Sequence, residues 1–167
     1  MIKLLNGRGQ LGNALSEKIK GVKLSGTKDI YIYHTWNIDD KSKPAQQRCL
    51  EELMSFVSRN LKEKIIFVST TSDKESHYVR YKQLAEAYLL NHCTNALVIR
   101  LPMIIGKGAV KKLKENTIKP YGTMELISLN NACEQIIKSV YYNGLRKCIS
   151  ISGEKISATT VHKILSV

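Results

Sequence analysis

A tyrosine and a lysine stand four residues apart in the stretch HYVRYKQLAEAYLL, which begins at His77. If this stretch is a helix, the side chains of Tyr78 and Lys82 lie on one face, with their Cβ atoms about 5 to 6 Å apart. This proximity allows the ammonium to act on the phenol, which is the condition for the pair to do chemistry. The alternative is a surface tyrosine beside a solvated lysine. The spacing alone leaves both interpretations open.

The second candidate for chemistry is the glycine-rich segment NGRGQLG, in which three glycines satisfy the pattern G-x-G-x-x-G. A strand-like run precedes it and a helix-like run follows it, as a dinucleotide-binding loop requires. The glycines allow a tight turn and a close approach of the backbone to a pyrophosphate, and the amides at the start of the helix bind the anion. The sequence therefore predicts a dinucleotide site at Gly7, Arg8, Gly9, Gln10, Leu11 and Gly12. A merely glycine-rich turn is the alternative.

The part of such a site that would hold the adenosine is abbreviated. An acidic residue usually follows the loop by about 20 residues and binds the ribose, and the segment GVKLSGTKD has no clear counterpart. The chain from Gly12 to the run DIYIYH is too short for a full sequence of helix, strand, helix and strand, so one crossover is missing. Lys23 and Lys28 lie in this segment and would favour binding of a 2′-phosphate, so the sequence weakly favours NADP over NAD.

The elements that must position these residues alternate between two periodicities. The runs IKLL, DIYIYH, KIIFVS and ALVIRL are strand-like, whereas QLGNALSEKI, the segment after Pro44 and the stretch around Tyr78 have helical spacing. This alternation predicts an α/β fold: a Rossmann-like, doubly wound parallel sheet with helices on both faces and ligands at the carboxyl ends of the strands. No linker or repeat interrupts residues 1–167, so a single domain is predicted.

Composition limits the possible partners. The chain of 167 residues is 43% hydrophobic and has a formal net charge of +12, which favours polyanionic ligands. The positive residues are spread along the chain, and only the segment from Lys107 to Lys119 is dense; it is either a solvated helical face or a phosphate-binding patch. Nucleic acid is not expected, because no basic motif is interleaved with aromatic residues.

Four scattered cysteines without a C-x-x-C pair predict no metal site. The chain has no apolar run of about 18 residues and no signal-peptide pattern, so we expect no membrane partner and a cytoplasmic location.

These segments occur in the order found in the extended short-chain dehydrogenase/reductase family, which the chain resembles over nearly its whole length. The glycine loop, DIYIYHTWN, KIIFVSTTS, YVRYKQLAEAYLL and LVIRLPMIIGKG carry the resemblance. Its most specific part is the set Tyr78, Lys82, Glu86, Arg100, Pro102 and Gly106. The family includes nucleotide-sugar epimerases, dehydratases and reductases.

The resemblance implies a role for each matching residue. Tyr78 would be the general acid/base, and Lys82 would hold the nicotinamide ribose while lowering the pKa of the tyrosine. Thr71 is the best match for the residue that binds the substrate oxygen, with Ser69 and Thr70 beside it.

Further residues would lie along the NAD or NADP. The resemblance places Ser69, Thr35, Trp36 and Pro102 at the cofactor. Trp36 departs from the small residue usual at its position, and it either shields the nicotinamide ribose or fills the space left by the missing elements. His34 is expected to be a packed residue at a strand end, and Arg100 to be structural.

The departures from the family concern its substrate side. Only the loop SDKESH separates Thr71 from Tyr78, and the C-terminal, substrate-side segment, about 103–167, is reduced. The sequence therefore supports an NAD(P)-dependent oxidoreductase or epimerase-like protein acting on a carbonyl or alcohol, such as that of a sugar nucleotide. The alternative is a catalytically silent subunit that binds a dinucleotide or a partner. The resemblance also implies a homodimer through the helices at about 45–61 and 76–92.

Overall fold

The computed structural model describes residues 1–5, 9–24, 26, 28–105 and 109–165. Fourteen helices and strands follow one another along this part of the chain. They are β1 (Ile2–Leu5), α1 (Gly9–Ile19), β2 (Ile30–Tyr33), α2 (Lys43–Arg59), β3 (Lys64–Thr70), α3 (His77–His92), β4 (Ala96–Leu101), β5 (Met103–Ile104), α4 (Ala109–Lys114), β6 (Thr123–Ile127), α5 (Leu129–Val140), β7 (Lys147–Ser150), β8 (Glu154–Ser157) and α6 (Ala158–Leu165).

Five strands form a parallel sheet in the order β1-β2-β3-β4-β7. The central strand β3 reads KIIFVST, and all of its residues but the last are buried, as is typical of a strand covered on both faces. Alternate residues face opposite layers because side chains on a strand alternate. Ile66 and Val68 pack under α1 and α5, whereas Ile65 and Phe67 pack under α2 and α3. The predicted parallel sheet with helices on both faces is thus confirmed.

The hand of the first crossover shows where the sheet is shortened. Each connection from β1 to β4 moves to the next strand in the same direction, yet α1 lies on the opposite face from α2 and α3. The β1–α1–β2 unit therefore has the opposite hand from the two units that follow it, although about 98% of such crossovers share one hand. This arrangement remains if the unit beyond β1 is removed from a doubly wound sheet. In the shortened sheet β1 and β2 are neighbours, and the helices that follow them lie on opposite faces. A ligand-binding crevice forms between two strands arranged in this way.

A small second sheet packs beyond the carboxyl edge of the first. It has the order β5-β6-β8, with β6 and β8 antiparallel, and it buries Val110, Leu113 and Val161 of α4 and α6. The lysines of α4 are exposed on its outer face. The segment 103–167 is divided between the two sheets, because α5 and β7 complete the first one.

The longest helix, α2, has 17 residues. In the part of the chain that the structure describes, no helix combines the length and the apolar character needed to cross a bilayer.

Candidate active site at the carboxyl edge of the sheet

The carboxyl edge of the sheet concentrates buried polar atoms that have no partner. Within the described residues four such side-chain atoms occur, and three of them lie at this edge: Gln10 Oε1 in the first turn of α1, His34 Nε2 after β2, and Ser69 Oγ near the end of β3. The fourth, Glu63 Oε2, precedes β3 at the opposite edge. Leaving such an atom unpaired costs about 1 to 3 kcal/mol, so a polar ligand spanning three strands fits this edge.

Helix α3 positions the predicted acid/base pair. The side chain of Ser76 accepts a hydrogen bond from the backbone N–H of Val79 and so caps the helix. Tyr78 therefore lies in the first turn and Lys82 in the second. The Nζ atom of Lys82 lies 5.4 Å from the centre of the Tyr78 ring, which confirms that the two side chains share a face of one helix.

Lys82 is buried, with 5% of its surface exposed. Its ammonium donates a hydrogen bond of 2.9 Å to the carbonyl of Val68 and lies 5.5 and 5.4 Å from the ring centres of Trp36 and Phe67. Burial lowers the pKa of Lys82 to about 8, against the opposing effects of Glu86 and Cys49. Lys82 is therefore a cation at neutral pH that is held in place with little access to water.

The pKa of Tyr78 departs from the expectation. Burial raises it to about 12, whereas the resemblance implied a lowering by Lys82, and that expectation is wrong for the free protein. The phenolate would lose more hydration than the ammonium returns in attraction, because Tyr78 lies in an apolar cluster with α2 and α3. A second ammonium, that of Lys41, lies 5.4 Å from the centre of the same ring.

A cavity of about 310 Å³ opens beside Lys82, and its described lining does not include Tyr78. Its lining is mostly polar and comprises Ser69, Thr70, Thr71, Ser72, Asp73, Lys82, Gln83, Glu86, Arg100, Glu125, Ser150, Ile151 and Ser152. The register of the strands explains part of it, because Ser69, Arg100 and Ser150 are paired across β3, β4 and β7. Six hydroxyl side chains therefore face the cavity together with a lysine and an arginine.

Thr71 lies where the resemblance requires, at the end of β3. Its backbone N–H donates to the carbonyl of Leu101 at 2.9 Å, and its hydroxyl donates to the same carbonyl at 3.4 Å. A hydroxyl oxygen that donates one hydrogen bond still has acceptor lone pairs. The role of Thr71 at a substrate oxygen stays a prediction.

Arg100 is fixed by a carboxylate. Its Nε lies 3.1 and 3.0 Å from the two oxygens of Glu86, and its Nη2 lies 2.5 Å from Oε2. The carboxylate of Glu86 is 5% exposed, so this bidentate pair forms one wall of the cavity. The contact gives Arg100 the structural role expected of it.

The predicted residues of the glycine loop fall into three groups. Gly7 and Arg8 lie outside the described residues. Gly9 begins α1 with a φ of 79°, in the region that favours glycine. The rest of the predicted loop belongs to α1, where Gly12 is buried and Leu11 packs against the core, while Gln10 keeps its unpaired oxygen at the edge.

Thr35 and Trp36 follow β2 at the crevice. The hydroxyl of Thr35 donates a hydrogen bond of 2.9 Å to the carbonyl of Leu5 and so joins the ends of β1 and β2. Trp36 is 8% exposed, and its indole N–H donates to Gln46 Oε1 at 2.7 Å. These contacts favour the second interpretation of Trp36, a side chain that fills the space left by missing elements. Pro102 is buried between β4 and β5.

The sequence did not single out two contributors to the site. Gln46 is fully buried and, besides accepting from Trp36, donates to the carbonyls of Asn37 and Asp40, which fixes the turn after β2. Lys41 reaches Tyr78 from that turn. A buried glutamine and a loop lysine carry no motif, and only the tertiary contacts identify them.

Comparison with known proteins identifies the fold. No protein-family model matches the sequence, and no curated protein matches it. Among solved structures, the Bordetella bronchiseptica enzyme WbmG in complex with NAD is similar, with a TM-score of 0.70, 12% identity, and coverage of 98% of this chain and 76% of that one. RMD from Pseudomonas aeruginosa, complexed with NADPH, has a TM-score of 0.67 at 10% identity and covers 98% and 79%. A GDP-L-fucose synthetase from Naegleria fowleri has a TM-score of 0.67 at 10% identity and covers 98% and 81%. The expected resemblance is thereby confirmed at the level of the fold.

Proposed function

We propose that this chain is an NAD(P)-dependent oxidoreductase that acts on a carbonyl or alcohol carbon of a sugar nucleotide. The observation that carries the proposal is the buried cation of Lys82, which lies beside Tyr78 and lines the same cavity as Ser69, whose hydroxyl is unpaired. The similar structures support it, because WbmG was solved with NAD and with NAD and UDP, and RMD with NADPH.

The residues at the edge fit a nicotinamide nucleotide. The amides at the start of α1 would bind its phosphates, Lys82 would bind the hydroxyls of a ribose, and Ser69, His34 and Gln10 would find partners for their unpaired atoms. When bound, the nicotinamide would accept or supply a hydride. Proton transfer and the binding of the substrate would be carried out by side chains of this protein.

Tyr78 would move the proton. Because burial raises its pKa to about 12, the phenol is protonated at neutral pH and is ready to donate to the oxygen of a carbonyl that is being reduced. The ammonium groups of Lys82 and Lys41 each lie 5.4 Å from the centre of its ring. The phenolate that remains after proton transfer would therefore form next to two positive charges. Thr71 would hold the same substrate oxygen.

The cavity suits a ligand with many hydroxyl groups. The hydroxyls of Thr71, Ser150 and Ser152 line it, and Asp73 and Glu125 add carboxylates. Such side chains exchange hydrogen bonds with a sugar ring without requiring it to be charged. This matches the sugar part of a sugar nucleotide.

The first test is a binding and turnover experiment. We expect NADH or NADPH to bind in calorimetric titration and Gly9→Asp to abolish binding, because it places a carboxylate against the phosphates. A panel of sugar nucleotides and small carbonyl compounds is then screened by the absorbance of the reduced cofactor. For the substrate found, Tyr78→Phe should lower kcat by about 10²- to 10⁴-fold with nearly unchanged cofactor affinity, whereas Lys82→Ala should weaken both.

The matched control is Tyr81→Phe, which removes a phenol oxygen from the same helix at a half-buried position. It should leave kcat unchanged. If Tyr78→Phe and Tyr81→Phe behave alike, the acid/base role of Tyr78 is refuted.

A second candidate is a catalytically silent subunit that binds the nucleotide. Two observations favour it: Tyr78 is not part of the described lining of the cavity, and the loop between Thr71 and α3 is short. Cofactor binding without turnover on the whole panel would support this candidate over the enzyme.

A further inference from the structure

The side of the fold that would hold an adenosine has no counterpart among the residues that the structure describes. In a doubly wound sheet the two halves of a dinucleotide lie over the two halves of the strand order, and the adenosine lies on the far side of the first strand. Here β1 is an edge strand of the sheet, and among the described residues it pairs only with β2. The described part of the chain therefore contains no strand or helix that would surround the adenine.

The described residues of the connection between α1 and β2 approach the amino edge of the sheet, the opposite edge from the candidate site. Helix α1 has 11 residues and so runs about 16 Å away from the carboxyl edge. At the start of β2 the carbonyl of Lys28 accepts a hydrogen bond from the amino group of Met1, and the carboxylate of Asp29 forms ion pairs with Met1 and Lys3.

These contacts place Asp29 and Lys28 at the amino edge, because Ile30 is in register with Ile2. Asp29 cannot reach a ribose at the carboxyl edge, and Lys28 cannot reach a 2′-phosphate there. The lean towards NADP then depends on Lys23 alone, an exposed residue of the same connection. Glu17, the other acidic residue nearby, is exposed and pairs with Lys20.

The nicotinamide side, by contrast, keeps its buried polar groups. The ammonium of Lys82, on α3, donates a hydrogen bond to the carbonyl of Val68 in β3. The unpaired atom of His34 follows β2, and that of Ser69 lies near the end of β3. All of them lie on the side of β1 where the sheet continues. Recognition is thus concentrated on one half of the dinucleotide.

We infer that this chain binds its cofactor through the nicotinamide mononucleotide half, and that reduced nicotinamide mononucleotide is a cofactor in its own right. The inference rests on the proposed function. It predicts that NADH, NADPH and reduced nicotinamide mononucleotide have dissociation constants within tenfold of one another, since the adenosine and its 2′-phosphate extend past the edge strand into solvent.

The only tryptophan of the chain supplies the assay. Trp36 is buried beside Lys82, so energy transfer from its indole to a bound reduced nicotinamide reports occupancy without turnover. Each of the three compounds is titrated in turn, and adenosine is then added to the complex with NADH. We expect similar affinities, no displacement by millimolar adenosine, and no change in the NADPH to NADH ratio for Lys28→Ala or Asp29→Asn.

The outcomes separate the two proposals. If NADH binds and the mononucleotide binds more than tenfold more weakly, or if adenosine displaces NADH, the inference is overturned while the proposed function stands. If none of the three compounds binds at millimolar concentration, both are overturned. Calorimetry of the same titrations checks that the loss of fluorescence reports binding.

Discussion

The charge of Lys82 should make the fold less stable below pH 8 than above it. Burial lowers the pKa of this lysine from 10.5 to about 8, because the folded state strips water from the ammonium and offers one carbonyl, that of Val68, in return. The fall is about 2.5, and at about 1.36 kcal/mol for each unit of pKa the charged lysine costs the folded state about 3 kcal/mol.

The direction of the pH dependence follows from proton counting. Between pH 8 and pH 10.5 the unfolded chain holds a proton on Lys82 and the folded chain does not, so the free energy of unfolding rises with pH. Below pH 8 both states are protonated, and the full cost is present without a slope. Above pH 10.5 both are neutral, and the cost is gone.

The measurement is a difference between two proteins. Urea unfolding is followed from pH 6.5 to pH 10.5 for the wild type and for Lys82→Met, which keeps the length of the side chain without the charge. The free energy of unfolding of the wild type should rise by about 3 kcal/mol relative to that of Lys82→Met over this range. All of this rise should occur above pH 7.5. Other groups whose pKa values are shifted by burial, such as Lys64 and Cys93, are present in both proteins and cancel.

Two controls sharpen the result. The exposed Lys62 is replaced in Lys62→Met, and this variant should run parallel to the wild type at every pH. The pair is also measured on a Tyr78→Phe background, because the phenol contacts Lys82, and its pKa is about 10 in the unfolded chain and is raised by burial to about 12 in the folded protein. A difference between the wild type and Lys82→Met that stays constant across the range on both backgrounds would refute the argument that Lys82 is a buried cation.

Three further predictions concern the same edge and the assembly. Ser69→Ala should raise the free energy of unfolding of the free protein by about 1 kcal/mol, because it removes a buried hydroxyl without a partner, and it should weaken cofactor binding; a loss of stability in urea unfolding would contradict this. Arg100→Leu should lower the free energy of unfolding by about 3 kcal/mol, because it leaves the carboxylate of Glu86 unpaired. The double variant Arg100→Leu/Glu86→Leu should regain most of that free energy. If the losses of the two single variants simply add in the double variant, the prediction is wrong. The protein should be a homodimer through the helices at about 45–61 and 76–92, and light scattering that gives the mass of one chain at micromolar concentration would exclude this.

Local sequence signals predicted the first sheet well. Each predicted strand and helix of residues 1–101 is present within a few residues of its expected bounds, because hydrophobic periodicity and caps act over one element at a time. The pairing of Tyr78 with Lys82 followed for the same reason, since helical spacing fixes which side chains are neighbours.

The features that the sequence could not supply depend on distant contacts. The second sheet joins β6 to β8 across an intervening helix and strand, and β5 has only two residues, too few for a periodic pattern. The pKa of Tyr78 depends on the apolar groups of two helices around it. The choice between the two interpretations of Trp36 depends on Gln46, a residue with no motif.

The placement of the unfavourable groups bears on the choice between an enzyme and a silent scaffold. A sequence that only had to fold would be expected to satisfy its buried polar atoms. Here a charged lysine and the unpaired atoms of Gln10, His34 and Ser69 lie together at the carboxyl ends of adjacent parallel strands, the edge at which α/β sheets bind ligands. A ligand with a phosphate, a ribose and an amide offers each of these groups a partner at once. Binding is therefore supported more strongly than turnover, and the comparison of Tyr78→Phe with Tyr81→Phe decides whether chemistry follows.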